Sequence, residues 1–202
     1  MTTIASSALA PARGLRTLYL VRVIFSVVWV VLVLLLAATV TTGTSPTPAA
    51  VVLLAIYPLW DAVATVVDLR VAPAGPRWPR LLNIGADVVA TVLLAVLLPL
   101  AGVTAGLIVF GIWAFLTGGV QLLLAIRRRR AIGGQWPMMI SGGLSVVAGI
   151  AFAAMASTPS SGLATLAGYS GFGAFWYLVE VILLTIRTSQ RATTADGGDG
   201  GN

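Results

Sequence analysis

Six apolar runs alternate with short polar stretches along the chain, at about residues 17–41, 50–69, 81–100, 105–126, 137–156 and 163–186. Each run is long enough, at about 20 residues or more, to carry a helix through the roughly 30 Å hydrocarbon layer of a bilayer. The pattern predicts an all-α polytopic membrane protein with six transmembrane helices. The first run is far longer than the 7–15 apolar residues of a secretory signal, so it reads as a retained span. The ends, "MTTIASSALAPA" and "TTADGGDGGN", are small, polar or Gly-rich. Segments 1–15 and 188–202 are therefore expected to be disordered tails around a membrane domain at 16–187.

Composition agrees with this pattern. Of 202 residues, 58% are hydrophobic and 9% are charged, against about 25% charged in a soluble domain. Such a surface suits lipid rather than water. Cysteine, histidine and lysine are absent. That removes disulfides, thiolate nucleophiles, Cys/His metal sites, imidazole bases and Schiff-base lysines. No phosphate-binding loop, dinucleotide glycine fingerprint or nucleophile elbow is present. The expectation is a non-enzymatic chain without cofactors.

The charges then set an orientation. All twelve basic residues are arginines. Arg13, Arg16 and Arg22 precede or open the first run; Arg70, Arg77 and Arg80 lie between the second and third. Arg127, Arg128, Arg129 and Arg130 lie between the fourth and fifth, and Arg187 and Arg191 follow the sixth. The alternate connections, "GTSPTPA", "AGVT" and "STPSSG", carry no charge. The positive-inside rule places both termini and the arginine loops in the cytoplasm, with the chain in the cell (cytoplasmic) membrane. With a net charge of +6, the run Arg127–Arg130 could be taken for a nucleic-acid grip. Its apolar flanks argue instead for a topology signal that meets anionic headgroups, and no nucleic-acid partner is expected.

The chain is also self-similar. "RWPRLLNIGADVVA" (77–90) aligns with "QWPMMISGGLSVVA" (135–148) at an offset of 58, matching Trp78 with Trp136, Pro79 with Pro137 and Gly85 with Gly143. Each unit is an arginine loop, a Trp-Pro helix start, a helix out and a helix back. Proline suits a first helical turn, where its missing N–H costs nothing. Runs one and two follow the plan without Trp-Pro. Three repeated helical hairpins result, at about 16–70, 77–128 and 135–187. The stretch "GIWAFLTGGVQLLLAIRRRRAIGGQWPMMISGGLSVVAGIAF" (111–152) resembles the short-repeat domain of the HdeD family of acid-resistance membrane proteins. The resemblance implies six spans, both ends inside, no cofactor and a part in acid or stress tolerance. It carries over no functional residues.

Polar side chains inside the runs are the remaining candidates. Asp61, Asp87 and Glu180 fall within runs, and Asp68 stands at an edge beside Arg70. An intramembrane carboxylate is costly unless paired, protonated or wet. Counted from the arginine boundaries at 1.5 Å per residue, Asp87, Glu180, Arg22 and Gln121 lie roughly 9–11 Å deep, and Asp61 roughly 13–14 Å. Arg22 is the one basic group in this layer, so it should neutralise Asp61, Asp87 or Glu180. The remaining carboxylates would favour their protonated form in low dielectric. The stripe Ser141, Ser145, Gly149 and Ala153 recurs every four residues and predicts a close helix contact. The offset of 58 maps it onto Asn83, Asp87, Thr91 and Ala95. The tryptophans in the runs read as core or lipid-facing rings, Pro58 as a kink beside Asp61, and Gln121 as an interhelical hydrogen bond.

These features leave two leading functions. One is an HdeD-like scaffold whose layer Arg22, Asp61, Asn83, Asp87, Gln121 and Glu180 is a structural ion-pair network. The other is a small transporter or proton conductor using those carboxylates; a polar cavity for a small ligand or a lipid headgroup is a further reading of the same layer. An intramembrane enzyme ranks last, since no nucleophile–base pair can be assembled. A homo-oligomer or membrane partner is compatible with the small-residue stripes.

Overall fold

In the computed structural model, described over residues 2–37, 45–71, 76–132, 136–158 and 162–196, the chain is all-helical. The elements are α1 (Thr2–Ala37), α2 (Pro48–Val71), α3 (Trp78–Ile132), α4 (Trp136–Met155) and α5 (Leu163–Asp196). All five are long and apolar enough to cross a membrane. Both Trp-Pro pairs start helices, with Pro79 and Pro137 in the first turns of α3 and α4.

Five helices stand where six runs were expected, because α3 is continuous in hydrogen bonding but not in direction. A straight helix of 55 residues would be about 82 Å long. Gly102 interrupts it with φ 77° and ψ −173°, a conformation essentially reserved for glycine. The arms on either side fold back on each other. Trp113 Nε1 donates to Asp87 Oδ1 at 2.7 Å, although the residues would be about 39 Å apart along a straight axis. The expected loop "AGVT" is thus helical apart from one residue.

Helix also extends past other expected boundaries. α1 begins at Thr2 and α5 ends at Asp196, inside segments that composition suggested were irregular. Alanine and arginine are strong helix formers, and both ends contain them. The run Arg127–Arg130 lies on the last turns of α3 rather than in a loop.

The core is a column of large side chains, with Trp29, Phe110, Leu54, Leu94, Leu98, Leu107 and Leu166 fully buried. Outside it, leucines, valines, isoleucines and phenylalanines are exposed on every helix, far more apolar surface than a water-soluble chain carries as one patch. α1 packs on α2 and α5, and α3 packs on α2 and α4.

The second arm of α3 and α4 approach most closely, through paired glycines. A Cβ on Gly149 would lie 2.5 Å from the Gly111 carbonyl oxygen, and one on Gly142 would lie 2.8 Å from that of Gly118. This seam is antiparallel with a seven-residue spacing. Ser145 and Ala153 border it, so the four-residue stripe marks the right face while Gly142 sets the contact. Gly85 and Gly143, equivalent in the repeat, both face open space.

Candidate functional site

Polar side chains from α1, α2 and both arms of α3 join in one chain. Arg22 Nη1 lies 2.9 Å from Asp61 Oδ1. Asn83 Nδ2 donates to Asp61 Oδ2 and to Asp87 Oδ2, both at 2.9 Å. Trp113 Nε1 completes the line on Asp87 Oδ1. Arg22 therefore pairs with Asp61, while Asp87 is held by neutral donors. Asp87 is fully buried, and a buried carboxylate is tolerable only with such donors around it.

Arg22 is held from two further sides. It donates to Tyr177 Oη at 2.6 Å and to Thr65 Oγ1 at 3.4 Å, and its guanidinium lies 5.2 Å from the Tyr177 ring centre. Tyr19 stacks on Tyr177. A second ion pair, Arg80 Nε to Asp68 Oδ2 at 2.8 Å, ties the first arm of α3 to α2. Arg80, a boundary marker by sequence, is in fact buried. Asp68 pairs with it across helices rather than with its neighbour Arg70.

All of these groups except Asp87 and Arg70 line a cavity of about 180 Å³ that also receives Tyr57, Thr117, Gln121, Ser141, Ser145 and Tyr169. Gln121 is half-buried there, and no hydrogen bond joins it to a neighbouring helix among the contacts described. The lining charges cancel, Arg22 and Arg80 against Asp61 and Asp68. Tyr57, Trp113 and Tyr169 form the floor, and behind them pack Trp29, Phe110 and Phe152 with centroids 4.5–6.3 Å apart. Trp29 Nε1 donates to Leu53 O at 2.6 Å, in the turn where Pro58 leaves the Leu54 carbonyl without its usual donor. Among the described residues no three His, Cys, Asp or Glu side chains converge as a metal site would require.

The repeat reappears in these contacts. Trp29, Asp87 and Ser145 are spaced by 58 residues, and each bonds a residue 24 or 26 positions on: Leu53 O, Trp113 and Tyr169. Sequence reasoning missed Trp113, Thr65 and Tyr177 as members of the network. A tryptophan N–H in lipid needs an acceptor, and that signal pointed to Trp113. The side chains of Glu180, Arg128, Arg129 and Arg130 lie outside the described residues. Arg127 is exposed, with its guanidinium 5.8 Å from the Trp78 ring centre.

Residues 86–154 match the family described as a short repeat of unknown function (DUF308), the family that includes HdeD. The match spans the glycine seam, Asp87 and Trp113. No curated protein and no solved structure matches the chain. Together, the apolar helices and this match suggest a multi-pass helical membrane protein.

Proposed function

We propose that this chain is a non-enzymatic, HdeD-like scaffold of the cell (cytoplasmic) membrane, crossing it six times as three hairpins. Both termini and the arginine segments face the cytoplasm, where Arg127–Arg130 meet anionic headgroups. The turn at Gly102 and the three equivalent contacts of Trp29, Asp87 and Ser145 support the hairpin arrangement. A part in acid or stress tolerance rests on the HdeD resemblance alone, the matched short repeat being of unknown function.

The observation that favours a scaffold over a conductor is the floor of the cavity. That floor is Tyr57, Trp113 and Tyr169, and the next layer is Trp29, Phe110, Leu54, Leu94 and Leu166, all buried, with the Ser170 hydroxyl as the one buried polar side chain among these described residues. Proton transfer through a membrane needs titratable groups or room for water along the whole path, and among the described residues this layer offers no titratable side chain. The cavity is a one-sided inlet, and the Arg22–Asp61–Asn83–Asp87–Trp113 chain is a lock between helices.

Proteoliposomes with an internal pH dye test this. Wild type and Asp87→Asn should acidify no faster than empty vesicles under an imposed gradient. Wild-type flux that Asp87→Asn abolishes would establish the proton-conducting alternative.

A further inference from the structure

The cavity does not end at its own mouth. A smaller hollow of about 30 Å³ shares Tyr19, Gln121, Met138, Ser141 and Tyr177 with it and adds Pro137 and Trp176. The extension runs between the start of α4 and the middle of α5, the loosest of the packed helix pairs. Trp136 and Trp176 meet edge to face across this seam at 6.0 Å, with Trp136 half exposed. Tryptophans at this level mark the headgroup region. Trp176 Nε1 is buried there without a hydrogen-bond partner. Beyond the seam the surface is apolar, with Ile140, Leu144, Phe172 and Phe175 exposed. A polar chamber thus communicates with an acyl-chain surface through a gap that opens just inside the headgroup level marked by Trp136.

The lining selects the occupant. Two guanidiniums and two carboxylates cancel, so a ligand with net charge would enter low dielectric without a counter-charge. A zwitterion would find one for each end. Arg22 Nε is buried, lacks a partner and belongs to the cavity wall. It is a donor for a phosphate oxygen, and the Gln121 amide offers another. The Asp61 and Asp68 carboxylates, each about a fifth exposed to the cavity, suit an ammonium; Tyr177 is already covered by the Arg22 guanidinium and by Tyr19. The volume corresponds to about a dozen water-sized positions, enough for a small phosphate–ammonium group.

We propose that the cavity receives the headgroup of a zwitterionic phospholipid, phosphate toward Arg22 and ammonium toward the Asp61 and Asp68 carboxylates, with its acyl chains on α4 and α5. This rests on the membrane-spanning reading above.

The test is lipid retention by the full-length protein in mild detergent, read by native mass spectrometry with phosphatidylethanolamine and phosphatidylglycerol at equal mole fraction. Wild type should keep one phosphatidylethanolamine with about tenfold preference. Gln121→Met and Ser141→Leu, which strip or fill the seam, should remove that preference, while Gly143→Ala, on open surface, should keep it. Equal or greater retention of phosphatidylglycerol by wild type overturns the proposal without recourse to any variant. So does a preference unchanged in both seam variants. Soluble phosphoethanolamine should not displace the lipid; displacement would make the occupant a free zwitterion and overturn the lipid assignment. Proton flux would reject the scaffold and leave this result standing, whereas absent retention in a non-conducting protein rejects only the lipid site.

Discussion

Trp113 donates to Asp87 across 26 residues of what is nominally one helix, at 2.7 Å. That bond fixes how far the two arms of α3 slide past each other after the turn at Gly102. It also satisfies a carboxylate that has no exposed surface. Trp113→Phe keeps most of the ring volume and removes the donor. The expected loss is about 1–3 kcal/mol, the usual result of stranding a buried acceptor, measured by denaturant unfolding in micelles.

Arg22 and Asp61 should behave as a pair. Arg22→Met leaves Asp61 with only the Asn83 amide, and about 3–5 kcal/mol should be lost, as for a broken buried ion pair. The double variant Arg22→Met/Asp61→Leu should cost less than the sum of the two single variants, by more than about 1 kcal/mol. A double-mutant cycle on unfolding free energies reads that coupling directly.

The glycine seam gives a paired prediction. Gly149→Ala drives a Cβ to within 2.5 Å of the Gly111 carbonyl oxygen, backbone that cannot step aside. Separation of α4 from α3 should cost about 1–3 kcal/mol. Gly143→Ala, six positions earlier on the same helix, meets nothing within 4 Å and should be neutral or stabilise by up to about 1 kcal/mol. Thermal unfolding of the two variants side by side checks both signs.

Gly102 should resist substitution for a different reason. No atom crowds it, but φ 77° with ψ −173° is open only to glycine at low cost. Gly102→Ala should lose about 1–3 kcal/mol. Its effect should not be relieved by smaller neighbours, which a double variant with Leu98→Ala would show.

Much of this was legible in sequence, and the exceptions have physical causes. Apolar runs and Trp-Pro starts give the helices, because lipid leaves the backbone no other partner than itself. The turn between the third and fourth runs was expected as a four-residue loop. It needs only one glycine, since Ala101, Val103 and Thr104 all accept helical geometry. The polar layer was visible as charges among apolar residues, so Arg22, Asp61, Asn83 and Asp87 stood out as candidates, and packing joins them in one chain of contacts. Pairing was not visible, because Asp61, Asp87 and Glu180 stand at similar depth and only packing decides which meets Arg22. Trp113, Thr65 and Tyr177 were overlooked because their polar atoms ride on side chains that read as apolar or neutral. Arg80 misled in the opposite direction: an arginine at a span boundary usually marks water, but here it turns inward to Asp68.

A one-sided cavity above an aromatic floor is the centre of the account, and cysteine accessibility tests it most directly. The chain contains no cysteine, so Ser141→Cys in the cavity wall and Ala101→Cys at the turn each carry a single thiol. A charged, impermeant thiol reagent is applied to inside-out and right-side-out membrane vesicles. The account predicts that Ser141→Cys reacts only from the cytoplasmic face and Ala101→Cys only from the opposite face. Labelling of Ser141→Cys from both faces, or from the face that labels Ala101→Cys, would contradict it and reopen a path through the membrane.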